Sequence, residues 1–201
     1  SSAGLTGTAS GGAEDDTFAI NDGGSAGTID GGTQDSLAGD EVTYAGATGP
    51  VTATINGFTN IETLTGSGNA GDTLQGTGGA DAFTVDGANS GTAGGINFSA
   101  FENLEGLGGD DTFTLASGGS VSSIDGGADT DEIIGNNGGN TFVVNAANAG
   151  TANGVAFAGV ENLTGGTASD SFTFSAGLTG TASGGAEDDT FAINDGGSAG
   201  T

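Results

Sequence analysis

Apolar positions recur along this chain at nearly constant intervals. Leu74, Leu104, Ile133 and Leu163 stand 30, 29 and 30 residues apart, and Phe83, Phe113, Phe142 and Phe172 keep the same three spacings. A third series, Ile96, Ile124 and Val155, is spaced 28 and 31. Each anchor lies in a short β-prone piece, such as DAFTVD, DDTFTLA, NTFVVN or DSFTFS, bounded by Gly-rich turns such as GGAD and NNGG. With 45 glycines, no ten-residue stretch combines helical periodicity with good helix propensity. The pattern predicts an all-β fold.

Three anchors per thirty residues describe one coil of a parallel β-solenoid. The expected form is a three-sided β-helix with about 30 residues per coil and β-roll-like turns. Extended to both ends, with anchors at Leu37 and Tyr44 among others, the count gives roughly 18 strands after Phe18, in about six coils, a two-sided coil of about 19 residues being the alternative from Phe18 to Tyr44 and from Phe172 to Phe191. At about 4.8 Å per coil, 173 residues would advance roughly 29 Å along the axis. Phe83, Phe113, Phe142 and Phe172 would then form one internal aromatic column, completed only by neighbours above and below.

A longer repeat encloses this one. Residues 2–28 recur without a change as residues 175–201, an offset of 173. Such identity points to recent tandem duplication or to an assembly of identical units. Residues 1–201 read as a single continuous solenoid segment with a 173-residue tandem unit, and Ser1 and Thr201 as cut points in a longer array.

Charge changes the picture. The chain carries 26 Asp and Glu and no Lys, Arg or His. A 33% hydrophobic content with a net charge of −26 is the signature of a disordered chain. The single proline, Pro50, and the regular anchors argue instead for folding coupled to cations drawn from solution. Phosphate contacts need Lys and Arg, so nucleic acid is excluded as a partner. No apolar run approaches the ~18 residues of a membrane span, so direct membrane insertion is not expected. Cysteine is absent, so no disulfide staples the fold. The missing positive residues favour an extracellular, secreted or cell-surface setting, where calcium modules work at roughly millimolar concentration.

The acids have a fixed place. Asp stands two residues before an apolar anchor at Asp16, Asp35, Asp72, Asp81, Asp111, Asp131, Asp170 and Asp189, and Asn140 does so before Phe142. Glu62, Glu102 and Glu161 take the same position before Leu64, Leu104 and Leu163. In stacked coils Asp72, Glu102, Asp131, Glu161 and Asp189 would share one column, where carboxylates about 5 Å apart repel by roughly a kcal/mol or more per pair. Two roles fit such an Asp. It can accept turn N–H groups as an Asx-turn, or it can ligate a hard cation beside carbonyls that glycine turns in. For the whole set, with no counter-charge, the expected ligand is calcium, held by these eight Asp together with Asp15, Asp110 and Asp188 of the adjacent pairs.

The segments GGAEDDTFA (11–19), GLGGDDTFT (106–114), GGADTDEII (126–134) and GGTASDSFT (165–173) resemble the G-G-x-G-x-D-x-U-x nonapeptide of RTX proteins, with U a large apolar residue. Glu14 stands at the fourth position of the first, and the second lacks the second glycine. In RTX β-rolls the nonapeptides run head to tail and pair into calcium sites; here they occur singly. Together with the F-x-x-φ-E-N-L segments Phe98–Leu104 and Phe157–Leu163, the turns are similar in style to repeats of large bacterial adhesins and extracellular matrix proteins. The resemblance implies a calcium-stabilised structural segment of a fibre, stalk or filament. Its partners would be divalent cations and adjacent identical repeats or subunits. The alternative is an adhesin module binding a glycan or ice surface on the same scaffold. Catalysis has no His, Cys, Lys or Arg to draw on, and the carboxylate pairs recur as structural elements do, so the chain is not expected to be an enzyme.

Overall fold

A computed structural model describes residues 5–22, 26–33 and 39–200. These residues form strands and turns and no helix. Among them, the strands make sheets of three, eleven and nine members, mostly parallel. Inward side chains from all three sheets meet in one apolar core. Asp35 and Leu37 lie outside the described residues.

From Thr63 onward the chain passes back and forth between the two large sheets. Thr63–Thr65 belongs to the eleven-stranded sheet, Thr73–Gln75 to the nine-stranded one, and the crossings continue through Asn103–Glu105, Thr112–Leu115, Ser123–Asp125 and Glu132–Ile134. Most crossings are Gly-rich turns; the two that follow the antiparallel excursions are Ala100-Phe101-Glu102 and Gly159-Val160-Glu161. Inward residues on one sheet then pair at a step of 20, as Phe113 does with Ile133 and Leu104 with Ile124. Two antiparallel excursions interrupt the alternation. Ala82–Gly87, Ser90–Ala93 and Ile96–Ser99 double back within the eleven-stranded sheet. Thr141–Ala146, Ala149–Ala152 and Val155–Ala158 do the same within the nine-stranded sheet. Across an excursion the step becomes 30, as between Phe83 and Phe113 or Ile133 and Leu163.

The excursions compensate each other. From the Thr63 strand the eleven-stranded sheet runs through the strands starting at Ile96, Ser90, Ala82, Thr112, Glu132 and Asn162, six steps. From the Thr73 strand the nine-stranded sheet runs through those starting at Asn103, Ser123, Val155, Ala149, Thr141 and Ser171, also six. One excursion alone would leave the sheets two strands out of step. Their turns are legible afterwards: Gly94-Gly95 (φ +56° and +87°) and Asn153-Gly154 (+51° and +87°) are two-residue loops with both residues left-handed, the hairpin geometry that Asn-Gly favours.

The three-sided coil is therefore corrected. Over residues 72–172 the strands form two faces; of the series counted as a third, Ile96 and Val155 lie on hairpin strands and Ile124 on a parallel strand beside Leu104. Period-two alternation reports inside against outside, and an antiparallel strand alternates just as a parallel one does. The single aromatic column also divides. Phe83 stacks on Phe113 at 4.8 Å in one sheet, while Phe142, Phe172 and Phe191 stack at 4.7 Å in the other. A shorter coil advances further per residue, so the eleven-stranded sheet spans roughly 48 Å at 4.8 Å per strand, against the ~29 Å of the three-sided count. The anchors themselves are buried: Leu74, Leu104, Phe113, Ile133, Leu163 and Phe172 are fully covered.

Phe113 is enclosed by strands on both sides, whereas Phe191 lies on the edge strand Thr190–Ile193 and is 46% exposed. Phe113→Ala is expected to cost about 3–5 kcal/mol in chemical denaturation, and Phe191→Ala about 1 kcal/mol or less.

Candidate functional site

The corner before Asp111 is shaped by glycine and closed by an acid. In the turn before Asp111, a Cβ on Gly106 would overlap both Asp111 Oδ2 and the Gly126 carbonyl of the next layer. Gly11, Gly126 and Gly184 stand in the same relation to Asp16, Asp131 and Asp189. Two further positions are left-handed in these four turns: Gly12 and Glu14 (φ +109° and +76°), Leu107 and Gly109 (+77° and +93°), Gly127 and Asp129 (+104° and +80°), and Gly185 and Glu187 (+95° and +67°). Glu14, Asp129 and Glu187 thus hold at the fourth position a backbone that glycine adopts freely and L-residues resist. In these four turns the second and fourth positions keep their conformation even where the glycines of the pattern are replaced, whereas Gly166 and Ala168 of the segment 165–173 are not left-handed.

The acids form hydrogen-bonded ladders. The Asp81 N–H donates to Asp111 Oδ1 (2.7 Å), the Asp111 N–H to Asp131 Oδ1 (2.8 Å), and the Asp131 N–H to Glu161 Oε2 (2.9 Å). Asp16 donates likewise to Asp40 (2.6 Å), and Asp40 to Glu62 (2.8 Å). Before the nine-stranded sheet, Val51 donates to Asp72 (2.8 Å) and Asp72 to Glu102 (3.0 Å). Asn140 donates to Asp170 (2.6 Å) and Asp170 to Asp189 (2.8 Å). In several rungs the second oxygen binds its own turn: Thr77 N–H to Asp81 Oδ2 (2.6 Å), Ser67 N–H to Asp72 Oδ2 (2.6 Å) and Gly166 N–H to Asp170 Oδ2 (2.7 Å). The expected column of Asp72, Glu102, Asp131, Glu161 and Asp189 is thereby corrected. Its members fall into three ladders, because alternate acids precede strands of different sheets.

The stacked turns 106–111 and 126–131 differ from the rest. Gly109 N–H donates to Asp129 Oδ2 (3.1 Å) and Thr130 N–H to Asp110 Oδ1 (3.0 Å), so each turn also accepts an N–H from the other. Asp111 and Asp131 are buried, yet Oδ2 of each has no hydrogen-bond partner; Asp16 Oδ2 is the third such atom among the described residues. The Asp111 carboxyl is pushed up to about 6, first by burial, against the Asp81 N–H it accepts, and further by the charges of Asp131, Asp81 and Asp110. Asp131 is raised by burial first, against the Asp111 N–H, and then by Glu161, Asp110 and Asp129. A proton or a cation would relieve both. Among the described residues, no three acidic side chains converge as a ready metal cage, so any cation here would also need turn carbonyls and solvent.

Of the acids singled out in the sequence, Asp72, Asp111, Asp131 and Asp170 are buried, Asp16, Asp81 and Asp189 are half-buried, and Asp15, Asp110 and Asp188 are exposed. Asp35 lies outside the described residues. Asp40 is a buried rung that the pattern reading passed over. The signal was present: Asp40 stands two residues before Val42, and Val42, not Tyr44, is the fully buried anchor of that strand. Comparison with protein-family models, curated proteins and solved structures found no match.

Two outcomes follow from this geometry. Leu107 is 45% exposed at φ +77°, so Leu107→Gly is expected to raise stability by about 1 kcal/mol in denaturant titration. For Asp111, a folded pKa near 6 against an ordinary 3.8 means the native state holds a proton that the unfolded chain has lost. In chelator, its contribution is therefore complete below about pH 4 and is lost as pH rises through 6. Asp111→Asn should flatten that slope and stabilise the chain at pH 7 by on the order of 1–3 kcal/mol. Asn140 already fills such a rung, its amide donating to the Asn136 and Gly138 carbonyls at 2.8 and 2.9 Å. Thermal midpoints at pH 5 and 7 check both parts.

Proposed function

We propose that this chain is a two-faced β-solenoid segment of a long extracellular fibre, stalk or filament on a bacterial surface, stabilised by calcium. Its work is to set length and stiffness, with no catalytic step of its own. Its partners are divalent cations and adjacent identical repeats.

The observation that carries this reading is the pair of buried Oδ2 atoms on Asp111 and Asp131, left without hydrogen-bond partners in a chain with no positive side chain. Backbone N–H groups meet one oxygen of each carboxylate, and the other needs a cation or a proton. Calcium takes six to eight oxygens at about 2.3–2.6 Å. The Gly126 and Gly159 carbonyls face the same corners, and solvent would complete the shell. The left-handed second and fourth positions of the turns 11–16, 106–111 and 126–131 are in keeping with the RTX-like resemblance of those segments. A cation that binds only the folded state adds about 2.7 kcal/mol per site at a hundredfold excess over its Kd. Recurrence of a corner acid that accepts an N–H from the neighbouring layer suits a rod, where each layer must be held to the next.

Circular dichroism and thermal melts at pH 7, with millimolar calcium or with chelator, test the proposal. Calcium should deepen the strand signal and raise the midpoint by several degrees. The double variant Asp111→Asn/Asp131→Asn should keep the native spectrum and lose part of that rise. A spectrum and midpoint indifferent to both calcium and chelator would refute the calcium-stabilised reading.

A further inference from the structure

Residues 2–28 and 175–201 are one sequence seen in two different surroundings. In the first copy, Thr17–Ala19 is the edge of the eleven-stranded sheet and is covered on its following side by Glu41–Thr43. Phe18 pairs with Val42, Asp16 N–H donates to Asp40 Oδ1 (2.6 Å), and Ile20 N–H donates to the Thr43 carbonyl (2.8 Å). In the second copy, Thr190–Ile193 is the edge of the nine-stranded sheet and is covered on its preceding side by Ser171–Phe174. Phe191 stacks on Phe172 at 4.7 Å, and Asp170 N–H donates to Asp189 Oδ1 (2.8 Å). The neighbouring strands divide in the same way. Ala9 pairs with Ile29 and Gly12 with Gly32, whereas their counterparts Ala182 and Gly185 pair with Leu163 and Gly166.

At the edge strands Thr17–Ala19 and Thr190–Ile193, each copy therefore has the half of its environment that the other lacks, while Gly177–Gly185 has a neighbour on both sides. The missing half leaves Phe191 46% and Ile193 63% exposed, while their counterparts Phe18 and Ile20 pack partly buried against the core. An exposed parallel edge with apolar side chains is a pairing site. The first copy gives the register of what fits it, down to the acid that accepts the corner N–H. Because Thr17–Ala19 and Thr190–Ile193 lie in different large sheets, superposing the two copies joins the nine-stranded sheet of one unit to the eleven-stranded sheet of the next. The chain already makes this exchange internally. Residues 81–106 and 140–165 share the F-x-V-x-x-x-N-x-G-T-A-x-G pattern and the E-N-L that follows it, 59 positions apart, and their hairpins lie in opposite sheets.

We infer that a second copy of this 173-residue unit occupies the Thr190–Ile193 edge through its strand Glu41–Thr43, in the register of Thr17–Ala19, with the two faces exchanged from each unit to the next. This rests on the tandem-segment reading above. The contact is head-to-tail and does not close on itself, so it propagates along an array. Features on one face of a unit return to that face only after two units.

The chain contains no Trp and no Cys, which makes single probes unambiguous. Phe191→Trp is placed in the 201-residue chain and in the same chain lengthened by a second copy of residues 29–201 after Thr201. In the lengthened chain its emission should shift to the blue and iodide quenching should fall severalfold, approaching Phe18→Trp in the original chain. Ile193→Trp serves as the independent second probe. Unchanged emission and quenching at both positions, with the strand signal per residue equal in the two chains, would overturn the junction and leave the segment reading standing. Loss of strand signal in both unsubstituted chains, with calcium present, would overturn the segment reading and the junction with it. Gold on Ala156→Cys in each unit should lie on alternate sides of the rod in electron micrographs; labels along one side would overturn the exchange of faces.

Discussion

The rest of the structure depends on a hydrogen bond between layers, from the backbone N–H of a corner acid to the carboxylate of the corner acid in the next. At a corner the chain leaves one sheet for the other, and the amide there cannot join a strand ladder. A buried amide without a partner is costly, and this chain has no positive side chain to set against its carboxylates. One contact answers both needs. Hydrogen bonds to a charged acceptor are roughly twice as strong as neutral ones. They also have direction, each N–H reaching forward from Asp81 to Asp111 to Asp131 to Glu161, so the ladder sets the register of layers whose short strands offer only three or four residues each.

The hairpins are tied to the same ladders. Asn89, in the left-handed turn of the first, donates to Glu102 Oε1 (2.7 Å), and Asn148 in the second donates to Glu161 Oε1 (2.8 Å). A glutamate at these rungs is long enough to accept the corner N–H of the preceding layer with one oxygen and the hairpin Asn with the other. That explains why Glu and not Asp stands in both F-x-x-φ-E-N-L segments. Two hairpins on opposite faces keep the sheets in step, and a continuous core from Ile29 to Leu178 results. Over the roughly 48 Å of the longer sheet, 26 acids amount to about one charge per 1.8 Å, near the ~1.7 Å of duplex DNA. Charge of that density gathers cations from solution. The buried oxygens of Asp111 and Asp131 are where such an ion would be held by the fold and not by the field alone.

Local features were legible from the residues themselves. Gly-rich turns, short alternating strands and the acid two residues before each anchor all follow from backbone permissiveness and side-chain period. They recur in the structure at Asp16, Asp72, Asp81, Asp111, Asp131, Asp170 and Asp189. Asp40 was missed only because Tyr44 was read as the inward residue in place of Val42. The hairpins also had a signal in Asn153-Gly154 and Gly94-Gly95, but an equal thirty-residue spacing made a third face the simpler reading.

What the sequence determined by itself was the alphabet of the fold: strand or turn, inside or outside, acid or amide at each corner. Those depend on a residue and its immediate neighbours. Which strands share a sheet, which way each runs, and which acids stand above one another were decided by tertiary structure alone. Phe113 is 30 residues from Phe83 and 29 from Phe142, yet it stacks on the first and lies in a different sheet from the second. The difference arises because a pairing step is chosen by what the layers on either side leave open, and no local pattern records that.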